Sequence, residues 1–255
     1  MTEIDYGTYL KIPELLSLQQ LQSDNEHDEM LFIIIHQVHE LWFKQLLHEF
    51  DRVGELIDQD DLGRAGGQLH RVLKILKTIV QQVDVLETMT PLDFESFRAF
   101  LGSASGFQSV QFRELELVLG RKEPDTLARF ENRPAHGRLR ARLTQPSIWH
   151  RFVSLLARHG HDVQPGDVAA PTREDPAVQD VLVEAYRSDP DLAGFCERLI
   201  DVDEGVHEWR YRHVMMVQRT IGMKQGTGGS SGAEYLRSTL FSPFFPDLWA
   251  IRARF

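Results

Sequence analysis

An apolar ladder at helical spacing constrains this chain most. It begins at Leu31 and climbs through Ile34, Ile35, Val38, Leu41, Trp42 and Leu46 to Phe50. Residues recurring three and four apart line one stripe of a helix. Neither proline nor glycine interrupts the ladder before Gly54, so the pattern predicts one helix over about 26–58. Ser23, with Glu26 three residues on, has the form of a capping box at its start. A second stripe through Leu69, Val72, Leu73, Leu76, Ile79, Val80 and Val83 predicts a partner of similar length over about 63–88.

Thr90-Pro91 reads as a helix start, with a capping hydroxyl and proline at the first helical position. The helix it opens, about 91–101, is broken by GSASG (102–106) before a further amphipathic stretch at 107–119. Region 120–145, rich in Arg, Pro and Gly, reads as short helices and turns. Helices follow at 146–159, 175–187 and 191–222, with GHDVQPGDVAAPTRED (160–175) as an exposed connector or small excursion. A last helical piece at 232–240 precedes a proline-punctuated tail. No alternating run bounded by turn signals reads as a strand. The expectation is therefore an all-α single domain spanning 1–255, built from long helices.

Composition narrows the function classes. Apolar residues at 42% and charged residues at 26% form an ordinary globular balance. A formal net charge of −10 argues against nucleic acid or an anionic membrane surface as partner. One cysteine, Cys196, rules out an internal disulfide framework and cysteine-based zinc or iron–sulfur sites. The longest apolar run, MLFIII (30–35), is too short to cross a membrane, and the N-terminus lacks a signal-peptide layout. These features predict a soluble, cytoplasmic protein.

Of the eleven histidines, His27, His48, His70, His136, His150, His159 and His161 lie among polar neighbours or in loops. His36 and His39 are three apart on one helix, a spacing that suits paired metal ligands. HQVHE (36–40) is nevertheless not the zincin HExxH motif. His36 follows directly on the apolar LFIII, where an unpaired imidazole is costly, so a core histidine bonded to a backbone carbonyl is an equal alternative. His207 and His213 are six apart, roughly 240° around a helix. His207 sits among acidic residues and reads as solvated. His213, beside Val214, Met215 and Met216, lies on the more apolar stretch, where an imidazole makes a good axial ligand for a flat metal cofactor. GTGGSSG (226–232) follows closely and lets backbone approach a ligand. It matches no phosphate-binding fingerprint, and a simple linker explains it equally well.

Six segments carry a resemblance that covers nearly the whole chain in order: YGTYLKIPELL (6–16), HDEMLFIIIHQVHELWFKQLLHE (27–49), TPLDFESFRAFL (90–101), SASGFQSVQFRELE (103–116), EWRYRHVMMVQRTIG (208–222) and GTGGSSGAEYLRSTL (226–240). Together they resemble the tryptophan 2,3-dioxygenase family, in particular its compact bacterial members. The resemblance implies a heme b enzyme, ferrous when active, that takes L-tryptophan and O2 to N-formyl-kynurenine, the first step of the kynurenine pathway. It further implies a homotetramer.

Residue by residue, the resemblance makes His213 the proximal iron ligand and sets Ser105 and Gly106 at the heme edge. His36 accepts a hydrogen bond from the indole N–H, and Phe32, one turn earlier, packs on the indole ring. Arg98 grips the substrate carboxylate with its guanidinium fork, and Phe94 and Leu101 line the same pocket. Thr227 binds the amino-acid end. Tyr6, Tyr9 and Leu10 reach into a neighbouring subunit's pocket, within an N-terminal segment over 1–22.

Two departures stand out. Phe94 occupies a position where some members have tyrosine, and Val38-His39 replaces the usual Thr-Ser pair after the distal histidine. Two other readings compete: a related heme enzyme acting on another indole or aromatic amino acid, and a non-enzymatic heme-binding bundle.

Overall fold

The computed structural model describes residues 4–123, 125–128, 130–131, 133–227 and 233–255. In chain order its helices are α1 (Tyr6–Leu10), α2 (Ile12–Leu15), α3 (His27–Asp58), α4 (Leu62–Leu86), α5 (Pro91–Arg98), α6 (Val110–Leu119), α7 (Asp125–Ala128), α8 (His136–Leu143), α9 (Ile148–Arg158), α10 (Pro176–Ser188), α11 (Pro190–Ile221), α12 (Ala233–Ser238) and α13 (Pro246–Ala250). Short 3-10 turns lie at Ala99–Leu101, Gly106–Gln108 and Ile251–Arg254. Among the described residues there is no strand, and no helix is long and apolar enough to cross a membrane.

The apolar ladders form the long helices their spacing predicts, although Ile34 and Leu41 of the first stripe stand exposed on α3. α4 packs along both 32-residue helices, α3 and α11. Val53, Ile57, Ala65, Val72, Ile79, Leu199 and Val202 close this three-helix layer completely, each larger side chain contributing roughly 1.5–3 kcal/mol. Gly205 on α11 lets that helix approach α4 closely, since a Cβ there would stand 3.2 Å from Leu73 and Leu76. α9, α10 and α13 complete the main core through Phe152, Leu155, Leu182 and Leu248.

Capping residues set the helix starts. At α5, Thr90 and Asp93 form a reciprocal capping box and Pro91 opens the helix. Asp61 caps α4 by accepting from Arg64 N at 3.0 Å, and Asp189 caps α11 ahead of Pro190. The expected Ser23–Glu26 box forms only in part. Ser23 Oγ accepts from Glu26 N at 3.2 Å, but Glu29 supplies the returning carboxylate, accepting from Gln22 N and Ser23 N at 2.8 and 2.9 Å.

Buried polar groups fix two segments outside the long helices. The connector over 160–175 is largely exposed and non-helical as expected, yet it is pinned: Val163 is buried, and the buried Lys122 ammonium donates to Val168 O as well as to Leu143 O and Gln145 O. The proline-punctuated tail folds back as α13 because Asp203, fully buried on α11, accepts from Phe244 N, Phe245 N and Trp249 Nε1 at 3.0–3.1 Å. A five-residue helix has too few positions to display a period, and a distant carboxylate is invisible locally.

A second, smaller core gathers Ile35, Leu86, Met89, Phe94 and Phe97 where the start of α3 meets α5 and the ends of α4 and α11. This is the ground on which the site is built.

Candidate active site

A cavity of about 260 Å³ opens between α3, α5, α6 and the latter part of α11. Phe32, His36, Phe94, Arg98, Leu101, Ser105, Gly106, His213 and Thr227 all line it. Tyr6, Tyr9 and Leu10 do not, and stand exposed on α1. Residues 228–232 of the glycine-rich segment lie outside the described residues.

One wall is aromatic. Phe32 meets Phe94 and Phe97 at centroid distances of 5.8 and 5.5 Å, and Phe94 meets Phe97 edge-on at 5.3 Å. His36 sits one turn beyond Phe32, their rings 4.1 Å apart. Its Nδ1 lies 2.7 Å from Phe32 O. A carbonyl can only accept, so Nδ1 carries the proton and Nε2 is left as an acceptor. Burial pushes the His36 imidazole below its ordinary range, which keeps that acceptor neutral.

His39 repeats the arrangement. It donates from Nδ1 to Ile35 O at 2.8 Å and is likewise pushed down by burial. It lines the same cavity and turns an edge toward Phe43.

His213 differs from both. Neither of its ring nitrogens has a hydrogen-bond partner among the described residues, and its ring stacks on Trp209 at 5.2 Å and 13°. Burial, with smaller contributions from His36 and His39, holds it down to about 4. It therefore presents an uncharged lone pair to an apolar space. Among the described residues no cluster of three or more His, Cys, Asp or Glu could hold a metal ion. A metal here would have to arrive with most of its ligands already in place, as in a porphyrin, and a single free imidazole fits that demand.

At the α5 side, Arg98 Nη2 donates to Gln225 O at 2.6 Å, and Nη1 lies 3.7 Å from Glu95. Thr227 donates its hydroxyl proton to Ala104 O. These bonds bring Arg98 and Thr227 together from elements more than a hundred residues apart. Ser105 Oγ accepts from Phe107 N at 3.4 Å.

Sequence reasoning missed several lining groups. Trp209 lies one turn before His213 and so had a helical signal, as did Phe97, which is fully buried behind Phe32 and Phe94. Arg113, Glu116 and Arg210 had none, because ordinary charged residues look solvated in a sequence. Here Arg210 is buried, and burial pulls its guanidinium down to about 10 against the upward pull of Glu116, with Arg121 and Arg113 adding to the fall. His207 is not solvated as expected. It is half-buried, donates from Nδ1 to Asp203 O at 2.8 Å and turns its ring edge-on to Trp249.

The family model described as tryptophan 2,3-dioxygenase matches residues 1–161 and 150–255. Similar proteins named tryptophan 2,3-dioxygenase include one from Herpetosiphon aurantiacus, 58% identical and covering 98% of each chain. Another, from Anaeromyxobacter sp. (strain K), is 53% identical over 98% of this chain and 95% of its own. One from Bacillus cereus is 44% identical over 98% and 92%.

Proposed function

The chain belongs to the tryptophan 2,3-dioxygenase family, and from that premise we infer how its cavity serves the family's reaction. The protein is a heme-dependent oxidoreductase that opens the indole ring of tryptophan with O2, at the head of the kynurenine pathway. The C2–C3 bond of the indole breaks as each of its carbons gains one oxygen atom. All atoms of both reactants remain in N-formyl-kynurenine, so no external reductant is consumed.

The cofactor is heme b, with ferrous iron in the active form, and His213 holds the iron. Its neutral, unpartnered imidazole and the flat Trp209 ring that sets its plane support this assignment. When bound, the heme supplies the reduced iron that binds and activates O2. Ser105 and Gly106, where the chain lines the cavity with little side chain, lie at its edge.

L-Tryptophan is held at three points. Phe32, Phe94 and Leu101 enclose the indole, and His36 Nε2 accepts its N–H. The Arg98 guanidinium takes the carboxylate with the donors not spent on Gln225. Thr227, its own proton committed to Ala104 O, offers lone pairs to the ammonium. Three separate anchors choose one enantiomer and hold the C2–C3 bond in place for reaction.

The exposed Tyr6, Tyr9 and Leu10 support a homotetramer in which α1 of one subunit closes its neighbour's cavity. The acidic balance and the buried, free Cys196 suit a reducing, cytoplasmic location.

The observation that carries this reading is the meeting, in one apolar cavity, of an imidazole without a partner and an imidazole with only its acceptor free. Aerobic incubation of the heme-loaded protein with L-tryptophan should yield the near-ultraviolet band of N-formyl-kynurenine. Under isotopically labelled O2 both labelled atoms should appear in that product. Heme-replete protein that leaves tryptophan unchanged refutes the reading.

A further inference from the structure

Glu116 on α6 is ringed by guanidiniums. Arg113 Nη1 donates to one of its oxygens at 2.5 Å, and Arg121 Nη1 and Arg210 Nη2 each lie 3.7 Å from the other. Three cations surround one carboxylate, so the cluster carries two positive charges in excess. Arg210 is 4% exposed and Glu116 7%, which leaves water little part in compensating them.

The cluster also holds unused donors. Arg113 Nε, Arg121 Nη1 and Arg210 Nη2 are buried without a hydrogen-bond acceptor. Arg210 Nη1 is already committed to Thr239 O and Ser242 O. Asp203 attracts Arg210 from beyond hydrogen-bond reach, its oxygens taken by the backbone N–H groups of Phe244 and Phe245, and Glu40 accepts from Gln111. Buried charge persists when something pairs with it. Among the described residues no carboxylate other than Glu116 lies within ion-pair distance of these three guanidiniums.

Arg113, Glu116 and Arg210 line the cavity described above, away from its indole-binding wall. α6 is tied through Gln111 to Glu40, eight residues beyond Phe32 and so about 12 Å further along α3. Arg113 lies over the Phe112 ring, which in turn packs on Trp209, the residue stacked against His213. These cations therefore belong to the neighbourhood of His213, whereas Arg98 belongs to that of Phe32 and Phe94.

We propose that Arg113 and Arg210, held in place by Glu116, form the site for the carboxylate side chains of the porphyrin. Two propionates balance the two excess charges and offer acceptors to Arg113 Nε and Arg210 Nη2. The proposal rests on the heme reading above and adds which residues choose a carboxylated porphyrin.

The test compares full-length protein, reconstituted with hemin or with hemin dimethyl ester, in wild type and in Arg113→Met. Affinity is read from the Soret titration. A lost charge-assisted hydrogen bond is about a ten- to hundredfold effect. Wild type should bind hemin at least about tenfold tighter than its diester, and Arg113→Met should shrink that ratio. The holoprotein of the variant should also release heme faster to excess apomyoglobin. Equal affinity of wild type for the two porphyrins overturns the proposal while leaving the heme reading intact, whether or not the variant folds. A ratio that persists undiminished in Arg113→Met also overturns it. Failure of wild type to bind either porphyrin refutes the heme reading, and the proposal falls with it.

Discussion

Replacing Arg98 by methionine removes a charge while keeping much of the side-chain volume, so the variant isolates the carboxylate grip. Truncating one partner of a desolvated charge pair costs roughly 2–5 kcal/mol, or about 30-fold to several-thousand-fold in kcat/KM. The structure argues for the lower part of that range. The Arg98 side chain remains 20% exposed, Glu95 stands 3.7 Å away, and one donor is already spent on Gln225 O. A loss of about a hundredfold is expected, mostly in KM. Tryptamine keeps the indole and the ammonium but has no carboxylate, so it should bind wild type weakly and bind Arg98→Met no more weakly. The four constants, KM for tryptophan and Ki for tryptamine in each protein, form a double-perturbation cycle. Heme content, measured alongside, should not change. If the substitution weakens both ligands equally, Arg98 acts on the shape of the pocket and not on the carboxylate, and the reasoning fails.

Three further outcomes follow from the same geometry. His213→Ala should purify largely without heme, while His36→Ala keeps its heme and loses only part of its activity; equal heme-to-protein absorbance ratios in the two variants contradict their assigned roles. Because burial lowers the His36 pKa below the ordinary 6.5, its acceptor stays neutral as pH falls through that value and is lost only at lower pH. The acid limb of kcat/KM should therefore lie below pH 6.5, and a His36-dependent limb above it rules out the neutral-acceptor role. Asp203→Ala strands the buried backbone donors of Phe244 and Phe245 and frees the indole N–H of Trp249 and should cost at least about 3 kcal/mol of unfolding free energy in a denaturant titration; a loss below about 1 kcal/mol shows that the tail is held by other contacts.

The long helices were legible because their cause is local. The ladder from Leu31 to Phe50 and the stripe from Leu69 to Val83 repeat often enough to reveal their period, and Thr90-Pro91 announces α5 within a few residues. The same locality made His36 readable as one turn from Phe32, and His213 as the histidine on the apolar part of α11. Motif likeness then named Arg98, Thr227, Ser105 and Gly106, whose proximity no spacing could have shown. The fold-back of the tail onto Asp203, the turning of Glu29 toward Gln22 and Ser23, and the pinning of the connector by Lys122 escaped because each joins a buried polar group to backbone far away or out of register.

The sequence alone determined that this chain is helical, which faces are apolar, and which imidazoles those faces carry, since such properties follow from repeats within a few turns. Tertiary packing decided which charges face one another. Arg98 reached Gln225 O beside Thr227, and Arg113, Arg121 and Arg210 converged on Glu116, only when α5, α6 and α11 closed on one cavity. A charged residue has the same letter on a wet surface as in a dry interior, and desolvation by the assembled helices alone separates the two.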